Sequence, residues 1–240
     1  ENQWLGLDEA LGDRLQWASE LNDQRVDGEY PGDIHEVART NISAVLAEMR
    51  ILGTVCESPA SDALGRSLRL GVSRDYLNKT HGQFRSNAFV KWRLKDSEAW
   101  HHAPALLLCV DAQGVALGLS PGRLGQGWAM SIGDQLSSLT PPGMETIANW
   151  ADPMGQEDEP PSGDYLVGVR LGLGEALGHT DLVGEVIRVA AALQPAMDCV
   201  VALAKAERKA VGGGGSEAGV HPDEAEFEEL DPVDEGEELE

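Results

Sequence analysis

Basic residues are scarce in this chain: 18 Lys and Arg stand against 41 Asp and Glu in 240 residues, a net charge of −23. Long apolar runs are missing as well. No stretch approaches the ~18 consecutive apolar residues that a membrane-crossing helix needs, so none is expected. Cysteine is rare and odd in number, with Cys56, Cys109 and Cys199 far apart and the last two inside apolar runs. That pattern excludes a disulfide framework and fits small core residues in a reducing compartment, so a cytoplasmic location is expected. The chain begins at Glu1 rather than Met and shows no signal-type apolar segment, as expected of a piece of something longer.

Motifs that name a reaction are missing too. Gly122-Arg-Leu-Gly125-Gln-Gly127 lacks the Lys-Ser/Thr pair that would hold phosphate and magnesium, and reads as a structural loop. His101 and His102 are adjacent, not one helical turn apart, so they do not present two imidazoles on one face for zinc. No Gly-x-Ser-x-Gly elbow occurs, and no cysteine has neighbours that would lower its pKa. No catalytic residue, metal ligand or cofactor is therefore assigned, although an enzyme built from residues scattered in sequence is not excluded.

What the chain does have is an uneven charge layout. Residues 66–95 hold eight cations (Arg66, Arg69, Arg74, Lys79, Arg85, Lys91, Arg93, Lys95) against one acid, Asp75. Residues 212–240 hold twelve acids and no base, and residues 1–65 and 96–211 are each net −9. One basic island in an acidic molecule is a candidate anion-binding surface, because the rest of the chain repels phosphate.

Apolar spacing sets out the elements. Leu7, Leu11, Leu15 and Ala18 predict a helix over about 5–21, and Ile34, Val37, Val45, Leu46 and Met49 a second over 34–53, with Asp33 as N-cap, Glu36 completing a capping box and Ser58-Pro59 breaking it. Leu68, Leu70 and Val72 alternate as a strand. In the stretch 88–95, Ala88, Val90, Trp92 and Leu94 face one way and Phe89, Lys91, Arg93 and Lys95 the other. Ala105–Val110 and Val115–Leu119 form a hairpin central in the sheet; Trp128–Ile132 and Tyr165–Leu173 are further strands, and Met144–Trp150 a short helix. A helix from Thr180 and a continuation from Pro195 to about Val211 close the fold. This order predicts one α+β domain over 1–211, a mostly antiparallel sheet of about five strands packed against N- and C-terminal helices. Gly212 to Ser216 then form a hinge to a disordered acidic tail, a solvated spacer or a phosphate mimic that folds back on the basic island.

Two readings of the 88–95 strand are open. Same-face residues about 6.8 Å apart match the phosphate spacing of an extended nucleic-acid strand. Equally, Lys and Arg can protect an edge strand from aggregation. Edge protection does not require Arg66, Arg69, Arg74, Lys79 and Arg85. The residues assigned to nucleic acid are Arg74, Lys79, Arg85, Lys91, Arg93 and Lys95 for phosphates, with His81 or Asn87 for sugar or base edges; Trp92, on the apolar face, is read as core.

Arg74-Asp75 followed by Lys79-Thr80-His81-Gly82 and Phe84 resembles an uncharacterised bacterial family with an Arg-Asp pair, a longer basic spacer and a Lys-Thr-His close. The wider order, with Asn87, Lys91-Trp92, Pro104 before a buried strand, a hairpin and a closing helix, resembles the N-terminal recognition modules of McrB-type restriction NTPases. That resemblance implies a defence-associated module that binds modified DNA, its acidic tail leading to a C-terminal motor. The function expected is a non-catalytic DNA-recognition domain; the alternative is a protein-interaction module whose basic face meets an acidic partner or its own tail.

Overall fold

The structure, a computed structural model, describes residues 9–73, 76–78, 82–95, 104–112, 114–120, 138–148, 165–172, 181–210 and 227–229. Helix α1 (Glu9–Asn22) buries Leu11, Leu15, Ala18 and Leu21, all spaced to share one face. Helix α2 (His35–Leu64) is longer than its sequence pattern predicts. Its N-cap is Ile34, with no side-chain cap bond, rather than Asp33; the Ile34 carbonyl accepts from Ala38 N at 2.9 Å while its side chain packs against the core. Pro59 lies inside the helix instead of ending it. A Pro in a helix interior costs about 3 kcal/mol, but Leu52, Cys56, Ala60 and Leu64 continue the buried face past it. The carbonyl that loses its partner belongs to Val55, on the exposed side. The helix ends where Gly65 takes φ +67°, a left-handed turn that glycine adopts without strain.

The sheet is antiparallel throughout the described residues. Its order is β7 (Glu145–Ala148), β8 (Tyr165–Gly172), β6 (Gly114–Ser120), β5 (Ala105–Asp111), β4 (Asn87–Leu94), β1 (Leu68–Ser73), β9 (Phe227–Glu229). The five long strands are those expected from the sequence, with the β5–β6 hairpin at the centre, and the short β7 and β9 close the two edges. A separate two-stranded hairpin, β2 (Leu77–Asn78) and β3 (Gln83–Phe84), interrupts the basic segment. The helix expected over Met144–Trp150 is instead β7: the turn at Pro141 to Gly143 sends β-branched Thr146 and Ile147 along β8. The strand expected at Trp128–Ile132 lies outside the described residues, as does the tail apart from β9.

Helices α2 and α3 (Leu182–Ala192) pack on one side of the sheet, α4 (Gln194–Ala210) packs against both of them, and α1 packs on α2. Asp181 caps α3, accepting from Gly184 N at 2.7 Å. Pro195, lacking an N–H, marks the 56° bend between α3 and α4. No single described helix is long and apolar enough to cross a membrane, although this bent pair matches by length and composition.

The strand registers place Leu70, Val90, Trp92, Leu106, Leu108, Leu117 and Val167 in the helix-side core. The opposite face is not a solvent face either. Leu107, Cys109 and Ala116 are fully buried there, with Phe89 packed beside them.

Candidate nucleic-acid interface

The cations of the basic segment do not form one row on an open strand. β4 alternates as expected, with Ala88, Val90, Trp92 and Leu94 buried, but it lies between β1 and β5 and is not an edge. Asn87, Lys91 and Arg93 on its other face are half-buried, because Lys91 stands opposite Leu107 and Arg93 opposite Ala105, both fully buried. Two guanidinium nitrogens of Arg93, Nε and Nη2, are buried. Arg69 stands directly opposite Arg93, so the register brings these two cations together. Arg85 is only 6% exposed and lies over the Phe89 ring at 5.9 Å. Arg66 is tied to Asp198 of α4 at 2.7 Å. Lys95, at the end of β4, is exposed. Arg74, Lys79 and His81 lie outside the described residues.

The fold assembles something the sequence did not single out. Phe84 of β3 is buried and stacks on Tyr30 with ring centroids 4.0 Å apart. His35, at the first turn of α2, meets Tyr30, Phe84 and Tyr76 edge-on at 5.7, 5.3 and 6.4 Å. Arg25 lies 5.2 Å from the Tyr30 ring centre and Arg39 5.6 Å from that of Tyr76. His35 and Arg39 are exposed; Arg25, Tyr30 and Tyr76 are half-buried. The result is a cluster of four rings flanked by two guanidinium groups, on the hairpin that divides the basic segment.

Its rigidity comes from Asn22, the last residue of α1. The Asn22 amide donates to Phe84 O at 2.8 Å and accepts from Phe84 N at 3.0 Å, pairing with β3 much as a neighbouring strand would. The Tyr30 hydroxyl completes the set, donating to Asn22 Oδ1 at 2.5 Å and accepting from Phe84 N at 2.7 Å. Burial raises the Tyr30 pKa, against the opposing pull of the Phe84 N–H and of Arg25, so at neutral pH the hydroxyl keeps the proton it donates. Rings and guanidinium groups gathered in this way are the kinds of group that base stacking and cation–π contacts use. Arg25, Tyr30, His35, Arg39 and Tyr76 carried no local sequence signal: the first two fall in a turn-rich stretch, and only the tertiary fold sets them against β2 and β3.

Other groups have structural partners. A cleft of about 440 Å³ between β7, β8 and α3 is lined by Glu145, Arg170, Glu185 and Arg188. Arg188 there is held in both arms by Glu185, at 2.8 and 2.5 Å, which raises its pKa and leaves its charge neutralised. Cys56 is fully buried, and burial, with Asp181 nearby, pushes its pKa up to about 12, so it is not a nucleophile. No group of three or more His, Cys, Asp or Glu is placed to hold a metal among the described residues. No protein-family model matches the chain, and no curated protein matches it significantly.

Proposed function

We propose that this chain is a nucleic-acid recognition module that binds through the platform of Tyr30, His35, Tyr76, Arg25 and Arg39 together with the basic segment into which the β2–β3 hairpin is set. The observation that carries this reading is the cluster itself: aromatic rings and guanidinium groups of residues 25–39 gathered around Tyr76 and Phe84, which belong to the segment that concentrates eight of the chain's cations. Bases stack on such rings without needing a particular sequence, and arginines add phosphate and ring contacts. The contact shifts from the β4 face, where Lys91 and Arg93 are half-buried, to the head of α2 and the hairpin, with Lys95, Arg74, Lys79 and His81 as further candidates. The surrounding acids, Asp27, Glu29, Asp33 and Glu36 among them, make binding weak, and each phosphate neutralised by a cation makes it fall with salt. The likeness of the element order to McrB-type modules points the same way and suggests modified DNA as a ligand.

The test is an anisotropy titration at ~50 mM salt of the full chain against single-stranded, duplex and methylated duplex DNA. Tyr76→Ala is expected to cost about 1–3 kcal/mol of binding, the usual value of one stacked base. Arg39→Glu is expected to weaken all three ligands similarly and to reduce the salt slope, as a phosphate contact does. Absence of binding both by the unaltered chain and by the chain lacking residues 212–240 would remove this reading. In its place would stand a protein-interaction module that receives an acidic segment, which the pairing of the chain's own β9 with β1 favours.

A further inference from the structure

The outer edge of β1 is satisfied in two different ways along its length. Leu68 N donates to Ser61 Oγ at 3.1 Å and Leu70 N to Glu57 Oε2 at 3.0 Å, so α2 covers the first half of the edge. Backbone groups of alternate residues in a strand point to the same side. The next outward residue is therefore Val72, which is 1% exposed with β9 in place. Its partner is β9, in the register Gly71↔Glu229, Val72↔Glu228, Ser73↔Phe227. By the same alternation, Glu228 turns its backbone N–H and C=O toward Val72.

Three consequences of this register matter. The strand that closes the edge comes from the segment with twelve acids and no base, and it docks on the segment that carries +7. Glu229 takes a place in the cross-strand row that runs through Gly71 to Lys91. The Phe227 end of β9 lies at Ser73, three residues before Tyr76 in the sequence. The 16 residues between Ala210 and Phe227 can span roughly 55 Å when extended. That tether makes docking intramolecular, at an effective concentration on the order of millimolar.

We propose that the second half of the β1 edge is a strand-addition site whose occupant is the chain's own Phe227–Glu229, and that the docked acidic tail competes with nucleic acid for the basic segment. The first part stands on the pairing alone; the second rests on the functional reading above. A tail docked nine-tenths of the time leaves a tenth of the molecules competent, so apparent affinity falls about tenfold.

The experiment uses full-length variants with two readouts. Glu228→Pro removes the N–H that faces Val72 and bends the strand; Glu228→Gln removes the same charge and keeps the pairing. Hydrogen exchange at the Val72 amide is measured alongside anisotropy with a fluorescent single-stranded oligonucleotide. We expect Glu228→Pro to accelerate exchange at this amide and to tighten oligonucleotide binding about tenfold, with Glu228→Gln close to the parent in both. Unchanged exchange in Glu228→Pro overturns the docking. Faster exchange with unchanged affinity overturns the competition and leaves the nucleic-acid reading standing. No oligonucleotide binding by parent or variant removes that reading and the competition with it, while exchange alone still decides the docking.

Discussion

Replacing Gly53 by Ala sets two well-known effects against each other at one position. Gly53 lies in the middle of α2, where glycine is about 1 kcal/mol worse than alanine, so helix propensity alone predicts a stabilised protein. The packing predicts the reverse. A Cβ at Gly53 would come within 2.7 Å of Leu70 Cδ1 and 2.8 Å of Val90 Cγ1, both on strands that α2 covers. Leu70 is enclosed in the core, and Val90 is fixed at χ1 by its branching, so neither yields without moving the helix. Overpacking of this kind costs about 1–3 kcal/mol, which cancels the propensity gain and leaves a net loss of up to about 2 kcal/mol, a Tm lowered by up to about 8 °C for a chain of this size. A second signal follows from the same displacement: the Trp92 indole N–H donates to Gly53 O at 2.9 Å, and pushing α2 off the sheet lengthens that bond. Urea unfolding followed by circular dichroism gives the first quantity, and tryptophan fluorescence of the folded state the second. A Gly53→Ala protein more stable than the parent, with unchanged emission, would refute the close approach of α2 to the sheet.

Further outcomes follow from burial. Trp92→Ala, which empties a fully buried site and removes the bond to Gly53, should cost about 3–5 kcal/mol, whereas Lys95→Ala at an exposed position should stay within about 0.5 kcal/mol; urea midpoints in the opposite order would invert the assigned faces. Cys56 should resist alkylation in the native state and react on unfolding. Because the folded protein holds the Cys56 proton up to about pH 12 while the free thiol releases it near 9.0, its contribution is complete below pH 9. It falls at about 1.4 kcal/mol per pH unit as pH rises toward 12, and a stability profile flat across that window in comparison with Cys56→Ala would contradict the burial.

Much of the fold was legible because it is local. The period of Leu11, Leu15 and Ala18 and the strict alternation from Ala88 to Leu94 each state which face is buried, and those faces are buried. Local rules failed where tertiary packing outweighed them. Pro59 is a helix breaker by itself, yet Ala60 and Leu64 continue a face that already rests on the sheet, and that burial exceeds the loss of one hydrogen bond. Met144 to Trp150 has a weak pattern either way, and its conformation is decided by the edge that β8 leaves open to it. A sharper reading was available at Ala105 to Val110, whose unbroken apolar run signals burial on both faces of the sheet. Read that way, it warns that the charged face of the neighbouring β4 is not open.

The site depends on that last point. Eight cations within 30 residues are a fact of sequence, but they become a binding surface only where the backbone that carries them reaches solvent. β4 lies in the interior of the sheet beside Leu107 and Cys109, and therefore draws Lys91 and Arg93 partly inward, while Arg66 and Arg85 are taken up by Asp198 and by the Phe89 ring. Among the described residues the β2–β3 hairpin pairs with no strand of the main sheet and is held instead by the amide of Asn22. That one side chain links the end of α1 to Phe84, 62 residues away, beside Tyr30 stacked on Phe84 and His35 and Arg39 set against Tyr76. A contact so distant in sequence leaves no periodicity, spacing or motif by which the platform could have been found before the chain was folded.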